Sequence, residues 1–300
     1  MKRLIGVIVV FAGLWAGYWW LGITGLRSGI AQGLEAAKPH VTVADWRAQG
    51  FPSRFDVEIS GADLRGQDWR WQIPEAEVMA MAWAPNKLIV WAGSPQTVTF
   101  YGQDFTITAK DMRANVDFGL STDAPLEKLI AVLEAPQIGE TRAEQARFAL
   151  QQIDGAPRYR IGGAITAING ADLGLDAEIT LPALIDRSTL TTGIPRPQAI
   201  DIKSFTIKVF GAELTASGAL TVDERGYLDG PMSVEVTNQN AMLFALRSKN
   251  ILPQTQVNLL ENVLRAITSP TGRTVLPVTF TRGQTIVAGL IPVGPAPRLP

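Results

Sequence analysis

The chain opens on an unbroken apolar run from Leu4 to Ile23, preceded by Lys2 and Arg3 and closed by Trp15, Tyr18, Trp19 and Trp20. At 1.5 Å of rise per residue this run makes a helix of about 30 Å, the thickness of a bilayer's hydrocarbon core. Bulky rings suit an interfacial belt better than a signal-peptidase site, so residues 1–26 are expected to remain as a transmembrane signal anchor. The basic residues before the run keep the amino terminus in the cytoplasm and send the rest of the chain outside. Arg27 to Lys38 then sets Ile30, Leu34 and Ala37 on one stripe, predicting a short amphipathic helix that Pro39 stops.

After an extended stretch at 41–46 the period changes to two: Phe55, Val57 and Ile59 alternate with Arg54, Asp56 and Glu58. Strand-like segments follow over 69–73, 76–83, 88–91, 97–101, 105–109 and 114–118. They are punctuated by Pro74, Pro85 with Asn86, Gly93 to Pro95, and Gly102. Leu126, Leu129, Ile130 and Leu133 recur at helical spacing between Pro125 and Pro136, which predicts a helix over 125–135. The stretch 140–152 fits a helix by composition and a strand by the alternation of Ala146, Phe148 and Leu150; the strand is preferred. Period two returns over 160–168, 173–181 and 200–210. Short strands are expected at 213–216, 219–222 and 232–236, divided by Gly218, by 223–226 and by 229–230.

Two helices follow, 239–248 with Met242, Leu243 and Leu246 inward, and 254–268 with Val257, Leu260, Val263, Leu264 and Ile267. A hairpin of 275–280 and 285–290 turns at Arg282 and Gly283, and the proline-rich 291–300 reads as an extended tail. The pattern defines a mainly β (α+β) protein. An N-terminal transmembrane helix leads into large, curved antiparallel sheets, with a few packed helices near the middle and the C-terminus. The exported residues 27–290 suffice for one large domain or for two lobes, 41–135 and 140–290.

Composition narrows the function by exclusion. Of 300 residues 46% are hydrophobic and 18% charged, and the net charge of −1 gives no reason to expect nucleic-acid binding. With no cysteine, neither a lipoprotein anchor nor a disulfide can form. His40 is the one histidine, too few for a zinc site and poorly placed for a Ser-His-Asp triad, and no serine lies in a nucleophile elbow. Gly162, Gly163 and Gly170 are too sparse for a dinucleotide loop, and Gly272-Arg273-Thr274 lacks the earlier glycine and the lysine of a phosphate loop. No catalytic residue, metal or cofactor is therefore expected, and the chain reads as non-enzymatic.

The candidate binding feature is apolar. Val78, Ala80 and Ala82 stand on one face of a strand against Met79, Met81 and Trp83 on the other, and Leu88 and Val90 oppose Ile89 and Trp91. Such strands have both faces covered by protein, or one face lines a groove for an apolar ligand. The candidate groove residues are Trp71, Val78, Met79, Met81, Trp83, Leu88, Ile89 and Trp91. Arg54, beside the rigid Pro52, is expected to form an ion pair with Asp56 or Glu58; the alternative is a phosphate or lipid head group.

Two stretches carry a family resemblance: Gly50-Phe51-Pro52-Ser53-Arg54-Phe55-Asp56, and Leu290-Ile291-Pro292-Val293-Gly294-Pro295-Ala296-Pro297 after the two helices and the hairpin. They resemble the domain-of-unknown-function 2125 family of Gram-negative envelope proteins, with Gly50, Phe51, Pro52 and Arg54 as the signature. The resemblance spans nearly all of the exported part. It implies an architecture distantly similar to AsmA-like proteins, and by that analogy a sheet surface that binds or passes phospholipid or another apolar ligand. With the anchor, it implies a single-pass protein of the bacterial inner membrane whose bulk lies in the periplasm. The alternative is an envelope scaffold that holds a protein partner through sheet edges and the proline-rich end.

Overall fold

The computed structural model describes residues 2–66, 68–248, 254–267, 274–289 and 291–299. The chain divides into two compact units, Met1–Glu140 with Asp186–Gly193, and Thr141–Ile185 with Ile194–Pro300.

The first unit begins with α1 (Lys2–Ala36), one continuous helix where the sequence predicts a span and a separate amphipathic piece. Nothing between Ile23 and Arg27 breaks a helix, since glycine is tolerated in apolar helices, so the two join; a turn at 37–40, with Pro39 in it, follows. The strands are β1 (Val41–Thr42), β2 (Asp45–Gln49), β3 (Arg54–Arg65), β4 (Trp69–Met81), β5 (Ala84–Ala92), β6 (Gln96–Phe100), β7 (Gln103–Thr108), β8 (Asp111–Phe118), β9 (Leu126–Glu134) and β10 (Gln137–Ile138). Strand β3 pairs with β1 and β2 on one edge and with β4 on the other, all antiparallel.

Beyond β4 the sheet forks. Residues 76–81 pair with β5, which continues to β8 and β9, while 69–72 pair with β6, which continues to β7 and β10. Pro74 sits at the fork, where no neighbouring strand needs its missing N–H. The sequence treats it as a break between two strands, yet β4 runs straight through. The helix expected over 125–135 is corrected to β9, paired with β8 from Asp111–Glu134 to Phe118–Leu126. Its helical spacing arises because Leu129 to Leu133 is a continuous apolar run, which a strand covered on both faces also requires.

The second unit is a meander. It holds β11 (Thr141–Arg142), β12 (Gln145–Gln152), β13 (Arg158–Ile168), β14 (Ala171–Thr180), β15 (Ala199–Val209), β16 (Ala212–Val222), β17 (Leu228–Thr237), β18 (Thr274–Thr281), β19 (Gln284–Val287) and β20 (Ile291–Pro295). From β12 to β20 each strand pairs antiparallel with the next. The stretch 140–152 is thus strand in its larger part. The break expected at Gly218 does not occur: β16 is one strand, because Gly218 lies against the backbone of Pro231 and Met232, where a side chain would not fit. A short helix α2 (Thr189–Thr192) belongs to the first unit by its contacts.

Helices α3 (Gln239–Ser248) and α4 (Gln254–Ile267) stand between β17 and β18. Met242, Leu243 and Val257 pack on Ala212 and Val236. The side chains expected inward at Leu246, Leu260, Val263, Leu264 and Ile267 lie outside those described, as do Thr268, Gly272, Arg273 and Leu290. The proline-rich end is extended but joins the sheet: β20 pairs with β19, Arg298 bridges to Tyr227, and Ala296 is buried with Leu220, Leu228, Val278 and Phe280.

Candidate functional site

In the first unit Trp15, Trp19, Gly22, Ile23, Leu26 and Ile30 recur at helical spacing and share one face of α1. That face lies on the sheet. The indole N–H of Trp15 donates to the Pro52 carbonyl at 2.8 Å and that of Trp19 to the Arg54 carbonyl at 2.9 Å. The Tyr18 hydroxyl donates to the Ala82 carbonyl at 2.6 Å, and Arg27 to the Ala48 carbonyl at 2.7 Å. Trp19 meets Phe51 edge-on at 5.1 Å and stacks on Phe55 at 6.3 Å. Three of the four rings assigned from sequence to a membrane belt therefore also hold protein, while Tyr18 and Trp20 remain exposed, at 47% and 62%.

Gly22 makes the approach close: a Cβ there would stand 2.6 Å from the Phe55 ring. Ile23, Ala48, Phe55, Val57 and Ala82 form the buried core beneath. The segment Gly50 to Asp56 is thus the seat of the helix. Gly50 takes φ +115°, and a Cβ there would lie 2.7 Å from the Arg54 carbonyl oxygen. Arg54 pairs with Asp56 at 2.9 Å, as expected, but along its own strand rather than across. The other Asp56 carboxylate oxygen is buried without a hydrogen-bond partner among the described residues.

Beyond this seat α1 and the sheet part enough to leave an apolar cavity of about 290 Å3. Leu26 and Ile30 roof it. Phe55, Val57 and Ile59 of β3, Val78 and Ala80 of β4, and Pro85 and Leu88 of β5 form its floor. Register explains the set: Phe55–Ala80–Leu88 and Val57–Val78–Val90 are direct cross-strand partners, so their side chains share a face. No charged group lines it. Larger hollows of about 480 and 360 Å3 lie around β1 and mix polar with apolar walls.

Of the eight groove candidates, only Val78 and Leu88 reach this cavity. Met79, Met81, Ile89 and Trp91 point to the opposite face, where Asp56, Met79, Ile89 and Asn115 lie in one cross-strand row. Trp83 sits in the turn between β4 and β5, 64% exposed. Trp71 lies near the other end of β4 and donates to Gln96 Oε1 at 2.8 Å. Leu26, Ile30, Phe55, Val57, Ile59 and Pro85 were not foreseen as lining residues. The helical stripe matching the inward face of β3 is the signal that could have found them.

The polar clusters lie elsewhere. Asp63 accepts hydrogen bonds from Arg70 and Arg65, and these hold its carboxyl well below the usual carboxylate range. Arg160 does the same for Asp176, less strongly. His40 is exposed, with Nδ1 3.2 Å from the Arg65 carbonyl oxygen. Among the described residues no three His, Asp or Glu side chains converge as metal ligands.

Residues 19–297 match a family model described as an uncharacterized protein conserved in bacteria (DUF2125). No curated protein and no solved structure matches the chain.

Proposed function

We propose, for a chain that belongs to the DUF2125 family of uncharacterized bacterial proteins, that it is a non-enzymatic, membrane-anchored envelope protein holding one lipid acyl chain between α1 and its sheet. The observation that carries this reading is the cavity of about 290 Å3 with an entirely apolar wall, one side of which is the helix that is long and apolar enough to cross a membrane. Small-molecule sites begin near this size. From Phe55 to Ile59 the floor extends about 13 Å at strand rise, room for part of one acyl chain.

The energetics favour exchange over storage. Each methylene moved out of water gains about 0.8 kcal/mol, but one moved out of a bilayer gains almost nothing, because lipid tails are as apolar as these side chains. Such a cleft can load from the membrane and release again. With the basic Lys2 and Arg3 on the cytoplasmic side, the two units face the periplasm from the inner membrane.

The test is organic extraction of the purified full chain followed by mass spectrometry of the extract. One phospholipid per chain is expected, falling severalfold in Ala80→Phe, which fills the floor. Lipid-free wild type, or equal loading in the variant, would overturn the reading.

A further inference from the structure

Resting on the anchor reading, we infer that the β-sheet rim beside α1, formed by Phe51 to Ser53 and Trp83, sits within the bilayer leaflet on its own side. The argument is one of length. Between the charged Arg3 and the first docked residue, Trp15, only Leu4 to Leu14 is free of the sheet, about 17 Å of helix against a hydrocarbon core of about 30 Å. Crossing the core requires the helix to about Ile23. Trp15, Tyr18 and Trp19 therefore lie at membrane depth, and so do the groups they bond: the carbonyls of Pro52, Ala82 and Arg54. Sliding the helix outward instead would draw Arg3 toward the bilayer centre, which costs several kcal/mol.

The rim is built for that depth. Phe51 is 57% exposed and Trp83 64%, both large apolar rings, and Arg54, which follows Ser53 in the chain, is half exposed. Several of the rim's backbone groups have partners within the protein, where water would be lacking. The three carbonyls accept from α1, the Ala82 N–H donates to the Ser53 carbonyl, the Arg54 N–H donates to the Gly50 carbonyl, and Pro52 has no N–H to satisfy. Arg54, half exposed at the edge, can extend toward lipid phosphates as interfacial arginines do. The cleft then opens where lipid is: Pro85, which lines it, stands two residues from Trp83.

Because the chain has no cysteine, a single one can report depth. Phe51→Cys, Trp83→Cys, Phe11→Cys and Tyr101→Cys, in the full chain, would carry an environment-sensitive fluorophore in phosphatidylethanolamine–phosphatidylglycerol vesicles. Tyr101 is exposed and bonded to Asp68 at the far end of β4, the aqueous reference. Quenching by acyl-brominated lipid at 51 and 83 should approach that at 11 and exceed that at 101 severalfold. Quenching at 11 alone, with 51 and 83 as open to iodide as 101, would overturn the inference and leave the anchor standing. No lipid quenching at 11 would remove the anchor as well. Trp83 is 64% exposed, so its variant carries the test if the Phe51 variant loosens the seat.

Discussion

Gly22 and Gly50 set the contact between helix and sheet, one by yielding space and the other by its backbone. A side chain at 22 would collide with the Phe55 ring, so Gly22→Val should cost about 1–3 kcal/mol and lower the thermal midpoint, with Gly22→Ala intermediate. An unchanged midpoint would mean that α1 does not rest on β3. Gly50→Ala meets both an unfavourable φ of +115° and the Arg54 carbonyl, and a loss of similar size is expected in chemical denaturation. Asp63 gives a pH signature. Its proton is bound more tightly in the unfolded chain, near pH 3.9, than in the folded one, so its contribution is complete above about pH 4 and is lost as pH falls through the lower folded value. Unfolding measured from pH 5 down to pH 2 should lose stability in that window, and Asp63→Asn should flatten the loss. The segment holding Gly50, Phe51, Pro52 and Arg54 stood out in the sequence; its role as the seat of α1 did not, because the helix residues that bond it lie 35 to 37 positions upstream.

Among the elements, most strands were legible because alternation and turn residues agree, as in β3, β15 and the hairpin of β18 and β19. The failures share a cause: what decides is a pairing between strands, which the local pattern of one segment does not show. Pro74 reads as a stop until the fork beyond β4 supplies a place that needs no N–H, and 126–134 reads as a helix until β8 pairs with it. The proline-rich end reads as a tail until β19 and Tyr227 hold it. Truncation after Gly289 should thus destabilise the second unit by on the order of 2 kcal/mol or more, since it removes β20 and the buried Ala296. Thermal denaturation matching the full chain would show that the end contributes nothing.

For the molecule as a whole, the sequence identified an apolar helix and strands apolar on both sides, but it could not choose the face. Leu88 and Ile89 are equivalent as letters. Only register places one under α1 and the other on the opposite side, 42% exposed. The most direct test uses that pair: a diazirine-bearing aliphatic amino acid placed at 88 or at 89 in the full chain, irradiated in membranes, with adducts weighed by mass spectrometry. The account predicts a phospholipid adduct from position 88 and little or none from 89. Adducts from 89 alone, from both alike, or from neither would contradict it.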